Sequence, residues 1–369
     1  MHEQNKLNGQ LSRRGFIGCT TAAAVYAVIP PILTGCASKS VKAKPDSTFG
    51  GVPIGAITYS FRDLPGKNAE ETLDYLLKCG LSHCELMSGP LEKSAGAPSF
   101  NIREMFPERR PGGPPGGDRD SIPRGNQRRT RDSIPGGSRE RPEFEMPPEM
   151  REAMEKMEKE VSEWRKNQTS MTRFKEIRDL YNKAGAKIHI VKFDNIGGDA
   201  VSDEEHAYMF KVAKTMGAKG ITTELNENKA KKLGVLAKEY GIVIGFHNHT
   251  QLRPTTYSEG PYFSYGKNIM ANLDIGHYAA GNRKSALSLV EELAKQKRIL
   301  SIHLKDRTFG GDTVPFGEGD AQVAEILQLI QKNKWNINCD IELEYPVPED
   351  SDPLIETRKC VEFCRNVLS

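Results

Sequence analysis

"LAKEYGIVIGFHNHT", Leu236 to Thr250, passes from a helical pattern through a glycine into an apolar run that closes on two histidines. Tyr240-Gly241 reads as a helix stop, because glycine takes the left-handed conformation at little cost. Ile242 to His247 reads as a strand. On a strand residues i and i+2 share a face, so His247 and His249 point the same way.

The same period recurs along the chain. Strand-like runs fall at Ile54–Tyr59, His83–Met87, Ile188–Phe193, Gly220–Leu225, Ile242–His247, Ile269–Ile275, Ile299–Leu304 and Ile337–Leu343. Helical patterns separate most of them: Ala69–Lys78, Thr172–Lys183, Glu204–Thr215, Lys229–Tyr240, Ser285–Lys295, Ala321–Lys332 and Pro353–Val367. The exception is Leu252–Lys267, which is loop-like with at most a short helix. Eight alternations are what a (β/α)8 TIM barrel requires. A doubly wound sheet is disfavoured because no Gly-rich phosphate fingerprint follows the first strand.

The 369 residues carry a net charge of +3 and are 37% hydrophobic. That balance gives no case for nucleic acid as a partner. Residues 1–36 read as an export signal: Ser12-Arg13-Arg14-Gly15-Phe16-Ile17 is a twin-arginine pattern, and an apolar run over Ala22–Leu33 follows. The run falls short of the ~20 residues that span a bilayer, and Pro30-Pro31 interrupts it. Leu33-Thr34-Gly35-Cys36 is similar to a bacterial lipobox, with Cys36 as the lipidated residue. The expectation is a periplasmic or membrane-anchored lipoprotein of a bacterial envelope, with 37–51 as a tether and 52–369 as the barrel. Besides Cys36 and Cys19 of the signal, the five remaining cysteines form no CxxC and read as small buried side chains.

An insertion, 100–166, separates the second and third strands. Its part 107–148 is crowded with Pro, Gly and Arg and repeats itself, "RDSIPRG" from Arg119 and "RDSIPGG" from Arg131. Such composition cannot bury enough surface to offset ordering entropy, so it reads as disordered. A charged helical stretch, Pro148 to about Lys166, follows it.

Function in a barrel of this kind collects at the C-terminal ends of the strands. There the sequence places Glu224 on the fourth, His247 and His249 on the fifth, Asp274 and His277 on the sixth, His303, Lys305 and Asp306 on the seventh, and Glu342 and Glu344 on the eighth. Inward carboxylates and imidazoles on adjacent strands cannot all be buried unpaired. A divalent cation is the simplest common partner for such a set.

"YSFR", "HNH", "DIGHYAAG", "HLKD" followed by "VPFGEGD", and "IELEY" resemble the sugar phosphate isomerase/epimerase family, the xylose-isomerase-like TIM barrels. The resemblance spans about Val52 to Ser369, broken by the insertion. It implies a divalent metal (Mn, Zn, Co, Fe or Mg) held by Asp274, His303 and Glu342. Where many relatives carry a fifth-strand Glu, this chain has His247. Glu224 then supplies the missing carboxylate, and His247 is a neutral ligand or stands just behind the ligands.

The implied reaction is proton abstraction next to a carbonyl of a sugar or keto-sugar, such as a 3-keto-glycoside, giving isomerisation, epimerisation or elimination. A metal on adjacent sugar oxygens acidifies the intervening C–H, and a tuned side chain moves the proton. Lys305, His249, His277 and Glu344 are the candidates. A nearby cation would lower the pKa of Lys305. Tyr59 and Arg62 read as grips on substrate hydroxyls. Export argues against a phosphorylated substrate, and the resemblance implies homo-oligomers. Abasic-site DNA cleavage is disfavoured, because "DRTFGGDTVPFGEGD" lacks the histidine that its extra metal requires. The alternative from another class is a non-catalytic carbohydrate-binding lipoprotein on a degenerate barrel.

Overall fold

The computed structural model describes residues 44–66, 68–99 and 148–369. The twin-arginine pattern, Cys36 and the Pro/Gly/Arg-rich 107–147 lie outside the described residues. No described helix is long and apolar enough to cross a membrane.

Eight parallel strands close into a barrel: β1 (Val52–Ile57), β2 (His83–Met87), β3 (Lys187–Lys192), β4 (Gly220–Glu224), β5 (Val243–His247), β6 (Ile269–Asp274), β7 (Ile299–Leu304) and β8 (Asn338–Ile341). Each pairs with its neighbours in sequence, and β8 pairs with β1 to close the ring. β1 and β7 are buried along their whole length; β1 accordingly runs without a polar side chain, while β7 places Ser301 and His303 on the face that enters the barrel network.

The helices are α1 (Ala69–Lys78), α2 (Ser88–Ser94), α3 (Pro148–Asn167), α4 (Thr172–Ala184), α5 (Asp203–Met216), α6 (Glu227–Tyr240), α7 (Ile275–Asn282), α8 (Leu287–Lys295), α9 (Val323–Asn333) and α10 (Pro353–Val367). α1 shows how sequence sets a boundary. Asn68 accepts from the Glu71 amide at 2.8 Å, forming a capping box, and Ala69, Thr72, Leu73 and Leu76 make its buried stripe. Gly185 (φ 90°) and Gly241 (φ 64°) end α4 and α6 in the left-handed region, as the stops predict.

Three expectations are corrected. Residues 46–51, read as tether, belong to the barrel: Thr48–Phe49 forms an antiparallel hairpin with β1, and buried Ser47 bonds to Ser82 and Ile54. Asp274 ends β6, but His277 stands on α7. The charged stretch after the insertion is more than a solvated helix. α3 docks through Arg165, whose guanidinium makes a two-pronged buried pair with Glu92 at 2.8 Å on each arm. Trp164 packs edge-on against Tyr208 of α5. Between β5 and β6, where a full helix is missing, the chain makes only a 3-10 turn, Tyr262–Tyr265. All five described cysteines are buried and free.

Candidate functional site

The strand register aligns the rim. Glu224 sits beside His247, and Asp274 beside His303. At that tier His247, Asp274, His303 and Glu342 are all buried, with one ligand atom from each within 4.8 Å of the others. Four of the five residues expected to hold a metal therefore meet.

Each is set by its local chain. Asp274 is the N-cap of α7: Oδ1 accepts from the His277 amide at 2.6 Å, and Oδ2 lies 3.0 Å from Lys305 Nζ. That capping geometry explains the Asp-x-Gly-His spacing, because it places His277 at the third helical position. His247 donates through Nδ1 to Asn272 Oδ1 at 2.9 Å, so Nε2 is its free nitrogen. Burial, then the charge on His303, lowers its pKa to about 4, so the ring is neutral as a ligand must be. His303 bonds Glu342 through Nδ1 (2.7 Å) and Glu85 through Nε2 (2.9 Å). Burial opposes its charge, but those two carboxylates outweigh burial and raise its pKa well above 6.5.

Glu224 departs from expectation. Its carboxylate is taken by Lys192 (2.7 Å) on β3 and His249 Nε2 (2.9 Å), and it is not in the four-residue set. Burial would raise it, but the His249 bond and the Lys192 charge hold it well below the carboxylate range. The half-exposed His249 is raised by that same bond. Glu224 and His249 thus form a carboxylate–imidazole pair at the mouth.

Lys305 is buried among Asp274 (3.0 Å), Glu342 (3.3 Å) and Glu344 (2.7 Å). Burial disfavours its charge, yet in the absence of a cation the three carboxylates outweigh burial and raise its pKa. His277 lies between Lys305 Nζ (3.1 Å) and Arg307 Nη1 (2.7 Å). Burial and then Lys305 push it down to about 3, so it is a neutral ring and a poor base. Arg62 spends its guanidinium on the Leu343 carbonyl (2.6 Å) and lies over the Tyr59 ring. It shapes one wall of a groove of about 180 Å³ that Glu344 also lines. Asp306 ties down the following loop by accepting amides of Gly317, Gly319 and Ala321.

Two charged residues escaped the sequence reading. Lys192 closes β3 as the partner of Glu224. Glu85, midway along β2, is fully buried and bonds Thr222 Oγ1 (2.6 Å) as well as His303. Burial would raise its carboxyl, but the His303 charge holds it down at about 2. A glutamate inside the otherwise apolar "HCELM" was the available signal, since a buried carboxylate must have partners.

The donor set fits a divalent cation. Two imidazoles and two carboxylates, dry and convergent, give the mixed N/O environment that Mn, Zn, Co or Fe accept. His247, His249 and His277 form a second convergent set. That set has no carboxylate to balance a cation's charge, and Arg307 already bonds His277, so the four-residue set is favoured.

These charges fix a pH response. The stabilisation from Glu85 is full above its ordinary value of 4.5 and is lost as pH falls through about 2. That from His303, raised, is full below 6.5 and fades as pH climbs through its elevated value. Denaturant titrations should show stability falling between about pH 4.5 and 2. Cation affinity should rise with pH, because His303 must surrender a proton to bind. Equal affinity at pH 6 and 8 would contradict this.

No family model and no curated protein matches the chain. Solved structures do. A probable 3-DHS dehydratase of petrobactin synthesis from Bacillus anthracis gives a TM-score of 0.51 at 11% identity, over 85% of this chain and 99% of that one. The fold is a (β/α)8 TIM barrel. A sugar phosphate isomerase/epimerase from Parabacteroides distasonis gives 0.50 at 14%, over 89% and 97%. A xylose isomerase domain protein from Alicyclobacillus acidocaldarius gives 0.50 at 10%, over 85% and 99%. At these identities the likeness establishes the architecture of this barrel, in agreement with the resemblance its motifs carry.

Proposed function

We propose that the protein is a divalent-metal-dependent isomerase, epimerase or lyase that abstracts a proton next to a carbonyl of a sugar or keto-sugar. The observation that carries this is the buried His247–Asp274–His303–Glu342 set at the C-terminal mouth, with proton-handling groups beside it. Two structures that share the fold bear names of this chemistry, a dehydratase and a sugar phosphate isomerase/epimerase.

Those four residues would hold the cation, which when bound supplies Lewis acidity toward adjacent substrate oxygens. Nδ1 of His249 takes the proton, since Nε2 is committed to Glu224. The Glu224 carboxylate holds the ring in place and stabilises the imidazolium that forms. Return of the proton from His249 to the neighbouring carbon gives an isomer; an epimer forms when a second acid, for which Glu344 at the groove is the candidate, delivers a proton to the opposite face of the same carbon. The Lys305 ammonium, held by Asp274, Glu342 and Glu344, supplies positive potential at the mouth where negative charge develops on the substrate, and in a lyase the His249 imidazolium protonates the departing hydroxyl. Tyr59, exposed and covered on one ring face by Arg62, offers its other face to a sugar ring.

Solvent-deuterium uptake into a 3-keto-glycoside or free ketose tests this directly. We expect uptake that stops with chelator and falls about 10²–10⁴-fold in His249→Ala. Sugar binding without uptake would instead favour the non-catalytic carbohydrate-binding barrel. The twin-arginine pattern and Cys36 support an envelope lipoprotein, for which a non-phosphorylated sugar is the fitting substrate. Labelled fatty acid should enter the wild-type chain and not Cys36→Ala; equal labelling would refute the anchor.

A further inference from the structure

We propose that Glu85 is the positioning residue for both imidazoles of the cluster, acting one tier below it. The proposal rests on the metal reading above and adds a residue that no motif of the resemblance contains.

Glu85 is a fully buried carboxylate whose polar partners are all side chains from other strands. Thr222 of β4 donates to Oε1 at 2.6 Å. Oε2 faces His303 Nε2 of β7 at 2.9 Å and Asn272 Nδ2 of β6 at 3.3 Å. With Nε2–H of His303 committed to Glu85, its Nδ1 is the nitrogen turned toward Glu342 and the cluster. Asn272 carries the same order to the second ring. Its amide nitrogen is held by Glu85 and by Ser301 Oγ (2.6 Å), which aims Oδ1 at His247 Nδ1. His247 is thereby left with Nε2 free. One carboxylate so fixes which nitrogen each imidazole presents.

The physical logic is general. The bond made by one ring nitrogen of a histidine decides the state and direction of the other. A carboxylate behind a metal-binding imidazole orients the ring and raises its basicity, and its loss weakens metal affinity about 10–100-fold. A glutamate serving only to fill the barrel interior would be replaceable by a residue of similar shape without a hydrogen-bond acceptor.

The test is calorimetric titration of Mn²⁺ into the purified protein and its variants, with folding followed by circular dichroism. Glu85→Leu should bind Mn²⁺ about 10–100-fold more weakly at unchanged stoichiometry. Glu85→Gln, which keeps an acceptor for His303, should recover most of that loss. Should Glu85→Leu not fold, Thr222→Val, which releases only Oε1, should show a few-fold loss. A second readout does not depend on metal. The wild-type protein should show a downfield, exchange-protected imidazole Nε2–H resonance that is absent in Glu85→Leu, or shifted in Thr222→Val. No Mn²⁺ uptake by the wild type would defeat the metal reading, and this resonance would then decide the role of Glu85. Equal Mn²⁺ affinity in folded Glu85→Leu and wild type, or a resonance unchanged by the variants, overturns the proposal.

Discussion

Asp274→Ala is expected to reduce deuterium uptake to the uncatalysed background and to abolish divalent-cation binding. Asp274 does two things with its two oxygens. Oδ1 caps α7 through the His277 amide, and Oδ2 faces Lys305 and the cluster. Loss of the cap alone costs about 1 kcal/mol. Asp274→Asn separates the two roles, because asparagine caps helices as well as aspartate does. That variant should melt near the wild-type temperature yet bind cation far more weakly, as one of two anionic donors is gone. A variant that keeps both uptake and cation affinity would remove Asp274 from the site.

Lys305→Met should destabilise the metal-free protein by about 3–5 kcal/mol, the range for removing one partner of a buried ion pair. The ammonium neutralises Asp274, Glu342 and Glu344, and without it three carboxylates face one another in a water-poor mouth. It also competes with a cation for the Asp274 and Glu342 oxygens. Lys305→Met should therefore bind Mn²⁺ more tightly than wild type, with stability recovered on addition of the ion, while deuterium uptake is lost. Denaturant unfolding with and without Mn²⁺ reads both effects. A variant as stable as wild type without metal, and unresponsive to it, would show that Lys305 does not balance this charge.

Much of this was legible in the chain. The helix stops at Gly185 and Gly241 and the recurring strand-like runs dictate alternation, and alternation dictates the barrel. His247, Asp274, His303 and Glu342 were legible because strand ends in such a barrel share one rim. Glu224 was misread because its rim position was visible while Lys192, its partner one strand away, was not. The charge state of Lys305 could not be read either, since three carboxylates from two other strands and their following loops set it. Glu85 was hidden for a topological reason. Its partners Thr222, Asn272 and His303 lie 137, 187 and 218 residues away, so only barrel closure reveals what a lone glutamate in "HCELM" is for. Asp274 and His277 show the reverse: aspartate three residues before histidine at the start of a helix is a capping signature that sequence alone can supply.

The central claim is that His247, Asp274, His303 and Glu342 hold one divalent cation. Elemental analysis of protein purified without chelator, joined to melting curves before and after chelation, tests it most directly. About one divalent ion per chain is expected, with a melting temperature that drops by roughly 5 °C when the ion is removed. A folded protein with no bound ion, no uptake of added Mn²⁺ and an unchanged melting temperature would contradict it.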